Sequence, residues 1–316
     1  MRAAVIDDNS VTVQERPNPV ALAGELLVRV QAAAVNGGDL LQRRGRYPAP
    51  PGAPQDIPGL EFAGEVVQPG EGVTRFSAGD RVMGIVAGGG QAELVTVHER
   101  VAMPIPDEVD WTQAGGLPEV FCTAYDALFC QAGLQLGERL LVNGAAGGVG
   151  TAAVQLARAA GAVPVASVRN ELTGDRLRAL GAEQVVVSEV GSDAAVEHGP
   201  FDVVLELVGA SNLAIDLKSL SRGGRVCLIG VGAGAKTEFN ALHVMSKRAR
   251  ICGSTLRAES LEMKAALARL MEQHVLPHFA NRLTVPVDKT FALDQVHEAY
   301  EHFGAGGKVG KVVLLP

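Results

Sequence analysis

The first third of the chain contains short segments in which apolar and polar residues alternate. Alternation with a period of two predicts β-strands that are buried on one face. Pro69-Gly70 and Gly79-Asp80 are turn signals between the segments, and residues 47–58 carry five prolines, which predicts an irregular loop. The predicted strands cover residues 25–34, 64–68, 81–87 and 92–97. This part of the chain is therefore predicted to be an all-β unit.

The middle of the chain has a different pattern, in which short apolar segments alternate with helical ones. Strands are predicted at 140–142, Val163–Val168, Gln184–Val187, 201–208 and 225–231, and helices at 151–160 and 175–180. Alternating strands and helices favour a parallel sheet with crossover helices. The tail returns to a mixed pattern, with helices at 260–273 and 293–303 and a last strand at Lys311–Leu315.

A glycine-rich segment joins the first strand of the middle region to its first helix. It reads Asn143-Gly144-Ala145-Ala146-Gly147-Gly148-Val149-Gly150. Glycines allow a sharp turn and the close approach of a pyrophosphate, and the helix that follows offers free N–H groups to an anion. Ala145 replaces the first glycine of the G-x-G-x-x-G pattern, so a tight turn without a ligand is the alternative. The strand before, the helix after and the strand–helix repeats behind favour a dinucleotide phosphate loop.

The end of the second strand of this region bears on the choice of cofactor. NAD-binding units carry an acidic residue there that holds the ribose hydroxyls. This chain has Ser167 and Arg169 at that place, with Glu171 two residues further on. A guanidinium suits a 2′-phosphate, whereas a carboxylate would repel it. NADPH is therefore predicted rather than NADH.

Composition and charge narrow the classes of function. The 316 residues carry a formal net charge of −7 with no long Lys/Arg run, which argues against nucleic-acid binding. The four cysteines form no C-x-x-C pair and are predicted to be reduced. The N-terminus turns acidic too early for a signal peptide, and no apolar stretch is long enough to span a bilayer. We therefore expect a cytoplasmic protein that binds no membrane.

Several motifs together resemble one family along essentially the whole chain. They include Asn36-Gly37-Gly38-Asp39, Gly59-Leu60-Glu61, Gly79-Asp80-Arg81-Val82, Thr123-Ala124-Tyr125, the glycine-rich loop and Gly310-Lys311-Val312-Val313. The chain resembles the zinc-independent medium-chain dehydrogenase/reductase superfamily, in its quinone oxidoreductase (zeta-crystallin-like) branch. The stretch 167–181 is also similar to that of mitochondrial-type enoyl reductases, which use NADPH.

The resemblance implies an α/β architecture. A GroES-like β-barrel substrate domain would comprise residues 1–118 and 257–316, and a Rossmann domain that binds NADPH would comprise residues 119–256. It also implies a homodimer, or a tetramer, formed by pairing of the last Rossmann strand near residues 250–255.

Zinc-dependent relatives need a Cys, a His and a further Cys or Glu around the metal. At the first two positions this chain has Asn36 and Leu60. Glu119 falls near the third, and one carboxylate does not make a zinc site. No metal is therefore expected. Without a Lewis acid, hydride transfer to an electron-poor quinone or enone is easier than alcohol oxidation.

The resemblance also implies the site residues. Tyr47 and Asn36 are the expected catalytic residues, Tyr47 as a donor to the acceptor oxygen; a second family tyrosine is Leu41 here. The expected cofactor contacts are Asn36 and Thr123 at the nicotinamide side, Gly144, Ala146, Gly147, Gly148 and Val149 at the pyrophosphate, Ser167 and Arg169 at the 2′-phosphate, Gly230 and Val231 at a strand end, Thr255 and Leu256 at the carboxamide, and Lys311 at a phosphate.

The predicted function is a zinc-free NADPH reductase of quinones or related activated carbonyl and enone acceptors. Reduction of the C=C bond of trans-2-enoyl thioesters or alkenals is an alternative within the same class. A non-catalytic NADPH-binding protein, crystallin-like or RNA-binding, is the alternative from a different class. The net charge argues against RNA, and Asn36, Tyr47 and the glycine-rich loop argue against a purely structural role.

Overall fold

The computed structural model describes every residue from Met1 to Pro316. The chain divides into two compact units. Unit 1 comprises Met1–Cys122, Leu256–Gly306 and Lys311–Pro316, and unit 2 comprises Thr123–Thr255 and Gly307–Gly310. The first boundary thus falls at Cys122 rather than at Pro118, and the short segment before Lys311 belongs to unit 2.

Fifteen strands are formed. They are β1 Arg2–Asp7, β2 Ser10–Glu15, β3 Glu25–Val35, β4 Glu61–Pro69, β5 Arg81–Ile85, β6 Leu94–His98, β7 Met103–Pro104, β8 Arg139–Asn143, β9 Val163–Val168, β10 Gln184–Val187, β11 Phe201–Glu206, β12 Leu220–Leu228, β13 Arg250–Gly253, β14 Val287–Ala292 and β15 Lys311–Leu315. Every strand predicted from the sequence is present, several of them with longer bounds.

Nine α-helices accompany them. They are α1 Gly37–Arg43, α2 Trp111–Ala114, α3 Pro118–Tyr125, α4 Gly148–Ala159, α5 Gly174–Ala179, α6 Leu213–Ser219, α7 Ala241–Lys247, α8 Leu261–His274 and α9 Val296–Ala305. A π-helical segment, Asp126–Gln131, continues α3. None of the helices is both long and apolar enough to cross a membrane.

Unit 1 is built on a seven-stranded sheet with the order β14-β15-β3-β4-β5-β7, in which β6 also pairs with β3. The long strand β3 is central, because it pairs with β4, β6 and β15. Its side chains alternate between buried and less buried positions until the last four residues, which are all buried. A hairpin of β1 and β2 was not predicted. Its two turn residues, Asp8 and Asn9, both have positive φ, as the tight hairpin turn requires.

Unit 2 contains a six-stranded sheet, and all of its strand pairs are parallel. The strand order is β10-β9-β8-β11-β12-β13. This is the 3-2-1-4-5-6 order of a Rossmann sheet, so the predicted fold of the middle region is confirmed. Ligands of such sheets bind outside the carboxyl ends of the strands, where the order reverses, which here is between β8 and β11.

Two carboxyl groups are buried beneath that edge. The Glu206 carboxylate, at the end of β11, accepts hydrogen bonds from the main-chain N–H groups of Val208 and Gly209 and from Asn143 and Asn212. Asp216 Oδ1 accepts from Asn143 Nδ2 at 2.8 Å, whereas its other oxygen faces no donor. Burial and then the Glu206 charge raise the pKa of Asp216 well above its usual value. Burial and the Glu206 charge thus favour the neutral form of Asp216, whose proton can be donated to Glu206.

Asp216→Asn is expected to stabilise the protein at neutral and alkaline pH. Because the pKa of Asp216 is raised in the folded state, folding takes up a proton, and stability falls as the pH rises above the unfolded value of about 4. An asparagine can accept from Asn143 and donate to Glu206 without that dependence. We expect a midpoint of thermal unfolding higher than wild type by at least about 3 °C at pH 8 and a flatter pH profile.

Asp107→Asn, at an exposed position, is the matched control and should leave the profile unchanged. A midpoint for the Asp216→Asn protein below that of the wild type at every pH would contradict this account of the pair.

Candidate active site and cofactor loop

Unit 1 contains a buried ion pair. Lys311 Nζ is 2.7 Å from Glu61 Oε1 and 2.6 Å from Asn36 Oδ1. The Lys311 and Glu61 side chains are 3% and 0% exposed. The pairing of β15 with β3 explains the contact, because Val312 lies opposite Val35 in an antiparallel register and Lys311 therefore comes beside Asn36. Together with Asp39 and Gln91, these residues form what we call the lysine–carboxylate cluster.

Both polar atoms of the Asn36 side chain already make hydrogen bonds within the protein. Its Nδ2 donates to Glu61 Oε1 at 2.9 Å and, at 3.4 Å, to the main-chain oxygen of Ala34, and its Oδ1 accepts from Lys311. The expected role of Asn36 in stabilising an acceptor oxygen is therefore not supported by the geometry. Its amide instead bridges Lys311 and Glu61.

Lys311 also differs from the expectation. The ammonium was predicted to reach a phosphate, but it is buried against Glu61 and Asn36 within unit 1. A buried carboxylate binds an ammonium strongly, because the unpaired charge is costly to desolvate. The Lys311 ammonium is thus paired within unit 1, and this pairing does not favour a contact with a phosphate.

Asp39 forms the second acidic position of the cluster and is completely buried. It accepts from the N–H groups of Asn36 at 2.8 Å and Gly59 at 3.0 Å, and Gln91 Nε2 lies 3.3 Å from Oδ2. Burial raises the pKa of Asp39 to about 6, against the effect of the two N–H groups and of Lys311. The buried hydroxyl of Tyr300 donates to Gln91 at 2.8 Å, which fixes the glutamine.

Tyr47 lies close to this cluster. A Cβ added at Gly38, two residues after Asn36, would be 3.3 Å from the Tyr47 ring. The Arg257 guanidinium lies over the same ring at 4.9 Å and donates to the Tyr47 main-chain oxygen at 2.6 Å. Arg257 also donates to Gln42 and to the main chain of Ala87, so it fixes the proline-rich loop that carries Tyr47. No sequence pattern indicated this role of Arg257.

Glu119 is an acidic residue whose position the sequence suggested without assigning it a role. It lies in the first turn of α3, and its main-chain N–H donates to Glu61 Oε2 at 2.9 Å. Burial, and then the charge of Glu61, raise the pKa of Glu119 to about 8. A carboxyl group with this pKa is protonated at neutral pH.

The glycine-rich loop of unit 2 shows two different needs for glycine. Gly144 has φ +80°, and a Cβ at Gly150 would lie 2.6 Å from the Ala145 backbone, so the fold itself requires these two. Gly147 is different: its φ is −72°, and a Cβ there would meet only Gly144 O, at 3.5 Å. Space is thus open beside Gly147, as a loop that admits a phosphate needs.

The start of α4 is suited to an anion. Its N-cap is Gly147, which has no side chain that could satisfy the first N–H groups of the helix, those of Gly148 and Val149. The neighbouring Ala146 accepts a hydrogen bond from the N–H of Gly310 at 2.9 Å, which ties the short 307–310 segment to the loop. The residues present therefore fit the pyrophosphate of a dinucleotide.

The end of β9 carries the predicted 2′-phosphate residues. The main-chain oxygen of Ser167 accepts from Gly144 N and Ala145 N, both at 3.1 Å, so β9 holds the loop in place. Arg169 follows the last residue of β9, is exposed, and its guanidinium makes no hydrogen bond or ion pair. The glycine-rich loop and the Arg169 guanidinium thus lie at the same edge of the sheet of unit 2.

The remaining predicted contacts are distributed as follows. Gly230 packs so closely on the main chain of Leu207 that a Cβ would lie 1.9 Å from its oxygen, and Val231 after it is 47% exposed. Thr123 is buried in α3, and Thr255 and Leu256 lie where the chain passes from unit 2 to unit 1. Gly230 and Val231 follow β12 at the carboxyl edge of the sheet, which is the edge that binds ligands.

Comparison with known proteins gives consistent matches over the chain. The model of the alcohol dehydrogenase GroES-like domain matches residues 22–107, and that of the zinc-binding dehydrogenase domain matches residues 148–273. Human quinone oxidoreductase is 32% identical over 308 residues, which cover 94% of this chain and 91% of the human protein. A probable oxidoreductase from Mycobacterium abscessus superposes with a TM-score of 0.86 at 30% identity, covering 100% of this chain and 99% of that one.

A segment of a much larger protein is similar as well. Polyketide synthase GfsB from Streptomyces halstedii is 35% identical over 297 residues, which are 92% of this chain and 5% of that protein. The matches of both family models and the extent of the likeness to quinone oxidoreductase show the family. The chain is an oxidoreductase with a GroES-like and a Rossmann domain, and it belongs to the medium-chain dehydrogenase/reductase superfamily, in its quinone oxidoreductase branch.

Proposed function

We propose that this protein is a zinc-free NADPH-dependent reductase that transfers a hydride to quinones or to related activated carbonyl and enone acceptors. The observation that carries the proposal is the lysine–carboxylate cluster. By resemblance, Asn36 occupies the place of the first zinc ligand, and it binds the ammonium of Lys311. The positive charge at this place is thus the Lys311 ammonium and not a metal ion.

The donor set does not fit a catalytic zinc. Such a site needs three Cys, His, Asp or Glu ligands and one open position. Asn36 and Leu60 supply no such ligand, and no group of three or more such side chains is arranged to hold a metal ion. Zinc therefore has no part in the proposed reaction, and acceptors that are already electron-poor are the substrates that this site would reduce.

The cofactor is a nicotinamide dinucleotide, as the family implies, and we propose NADPH. The open space beside Gly147 and the start of α4 would bind the pyrophosphate, and the exposed guanidinium of Arg169 would bind the 2′-phosphate. Thr123 would contact the nicotinamide side. When bound, NADPH supplies the hydride, and the chain binds and orients the acceptor.

Tyr47 is the proposed hydrogen-bond donor to the acceptor oxygen. Negative charge develops on that oxygen as the hydride is added, and a fixed donor stabilises it. The stacked guanidinium of Arg257 and its hydrogen bond to the Tyr47 main chain restrict the ring to one place. Preorganisation of this kind lets the hydroxyl act without the cost of ordering a mobile loop.

The proposed function predicts, first, that reduction of activated acceptors needs no metal. Protein treated with a chelator should oxidise NADPH with 1,4-benzoquinone, 9,10-phenanthrenequinone or an α,β-unsaturated carbonyl compound at undiminished kcat/KM, measured by absorbance. Primary alcohols should not reduce NADP⁺. Metal analysis of the same preparation is the control. Activity that requires stoichiometric zinc would contradict the proposal, and NADPH binding without turnover of any acceptor would favour the non-catalytic alternative.

The second prediction concerns the choice of cofactor. Arg169→Ala removes a charge-assisted contact to the 2′-phosphate, so the Kd for NADPH should rise about 10- to 100-fold while that for NADH stays within about twofold. Fluorescence titration with both cofactors measures the two constants. Arg282→Ala, at an exposed position of unit 1, is the control and should change neither. Tighter binding of NADH than of NADPH by the wild type would refute the assignment of Arg169.

The third prediction concerns the Tyr47 hydroxyl. Tyr47→Phe keeps the ring beside Arg257 and removes one hydrogen bond to the acceptor, so kcat/KM should fall about 10-fold with an unchanged Kd for NADPH. Steady-state kinetics with a quinone and with an enone measure the effect. Tyr125→Phe removes a hydroxyl from another partly buried tyrosine and serves as the control. Full kcat/KM of Tyr47→Phe on every acceptor would exclude the proposed role.

A further inference from the structure

Three of the four cysteines of the chain lie close together in unit 2. Cys227 and Cys252 are directly opposite one another in the parallel pair of β12 and β13, so their side chains lie on the same face of the sheet. Their thiols are hydrogen-bonded to each other. Cys130 lies in the π-helical segment and is hydrogen-bonded to Asp126, whose charge acts on all three thiols. Strand pairing, which no local cysteine motif reveals, brings Cys227 and Cys252 together.

Charged groups surround the two paired thiols. Arg225 and Arg250 are opposite one another two residues before the cysteines, so the alternation of the strands places all four side chains on one face. Arg225 Nε donates to the main-chain oxygen of Ala132 at 2.6 Å, directly after the π-helical segment, which places this segment over the same face. Asp126 is the acid of that segment that acts on the thiols. Two guanidinium groups and one carboxylate therefore face the pair.

The two paired thiols differ in exposure and in acidity. Cys227 is completely buried, whereas Cys252 is partly exposed. The hydrogen bond from the Cys227 thiol, and then the charges of Arg250 and Arg225, lower the pKa of Cys252 to about 7, against the effects of burial and of Asp126. The same hydrogen bond, followed by burial, raises the pKa of Cys227 above its usual range. Cys252 is therefore the thiol that ionises first and that a solute can reach.

We propose that Cys252 and Cys227 form a redox modification site, at which a hydroperoxide oxidises Cys252 and Cys227 then closes a reversible disulfide. This assignment does not depend on the proposed function. The Cys252 thiolate attacks one oxygen of the hydroperoxide, the O–O bond breaks, and a sulfenic acid forms while an alcohol leaves with a proton from water. The Cys227 sulfur then attacks the Cys252 sulfur, the S–O bond breaks, and water leaves with the Cys227 proton. Two thiols thus lose two electrons, and one hydroperoxide is reduced to an alcohol and water.

The register of the two strands allows this disulfide. Neighbouring strands are about 4.8 Å apart, and disulfides join residues whose Cα atoms are about 4.4–6.8 Å apart, so the bond needs no large movement of either strand. Side chains of directly opposite residues run nearly parallel, so their Cβ atoms are also about one strand spacing apart, above the roughly 3.8 Å typical of a disulfide. A disulfide formed under this constraint is reduced more easily than an ordinary structural one, which suits a reversible modification.

The disulfide fixes the edge of the unit 2 sheet. Strand β13 is the last strand of that sheet and pairs only with β12. The chain between the two cysteines includes α7, none of whose residues is buried. A covalent bond between Cys227 and Cys252 closes this segment into a loop and restricts local opening of the edge strand. Oxidation therefore acts on the part of unit 2 that packing holds least.

The test follows the thiols of the full chain after treatment with hydrogen peroxide. The intact mass should fall by about 2 Da, and peptide mapping should show a link between Cys227 and Cys252 that dithiothreitol reverses. With Cys227→Ser, the sulfenic acid of Cys252 should persist and be trapped by dimedone, whereas Cys252→Ser should slow the first oxidation by about 10-fold or more. Cys130→Ser is the matched control and should form the link unchanged, because partial burial and then Asp126 raise the pKa of the Cys130 thiol.

Alkylation of the wild type by iodoacetamide, followed residue by residue, is a readout that needs no variant. The rate at Cys252 should rise with pH and reach half of its maximum near pH 7, because only the thiolate reacts, whereas Cys130 should react only at higher pH. Peroxide-treated wild type without a link between Cys227 and Cys252, or with a link to Cys130 or between two copies of the chain, overturns the proposal. A midpoint for Cys252 at the ordinary thiol value of about 8.5 overturns it as well.

Discussion

The buried ion pair between Lys311 and Glu61 is the interaction on which the chemistry of unit 1 depends. Removing an ammonium and a carboxylate from water costs several kcal/mol for each ion, and only good geometry with further hydrogen bonds offsets it. Here Asn36 bonds to both ions, and the main-chain N–H of Glu119 donates to the second oxygen of Glu61. The last strand, the end of β3, the start of β4 and the first turn of α3 therefore meet at one charged point.

This arrangement assigns different states to carboxyl groups that lie close together. Glu61 accepts a hydrogen bond from the Lys311 ammonium. Asp39 accepts hydrogen bonds from two main-chain N–H groups and from the Gln91 side chain, so its pKa rises only to about 6 despite complete burial. Glu119 receives no donor for its oxygens, so burial and the Glu61 charge raise its pKa to about 8. The distribution of hydrogen-bond donors thus separates the pKa of Glu119 from that of Asp39.

The sequence predicted what is local and missed what depends on strand pairing. The glycine-rich loop, the strands of unit 2 and Arg169 follow from patterns within about thirty residues. Lys311 and Glu61 are 250 residues apart, and only the antiparallel register of β15 on β3 brings them together. The comparison with the zinc-ligand positions of related proteins singled out Asn36, which lies in the lysine–carboxylate cluster. It could not reveal that Lys311 binds the amide oxygen, so both residues were expected to perform tasks for which their polar atoms are not free.

Each unit thus contains an acid whose pKa is raised by burial and by a neighbouring glutamate, but only one of the two protons has an acceptor within the fold. Asp216 is sealed at 2% exposure, and its proton has an acceptor in Glu206, so protonation stabilises unit 2. Glu119 is partly exposed and has no acceptor within the fold. A proton that satisfies no partner in the protein adds nothing to its stability. Retaining such an acid therefore costs stability at alkaline pH.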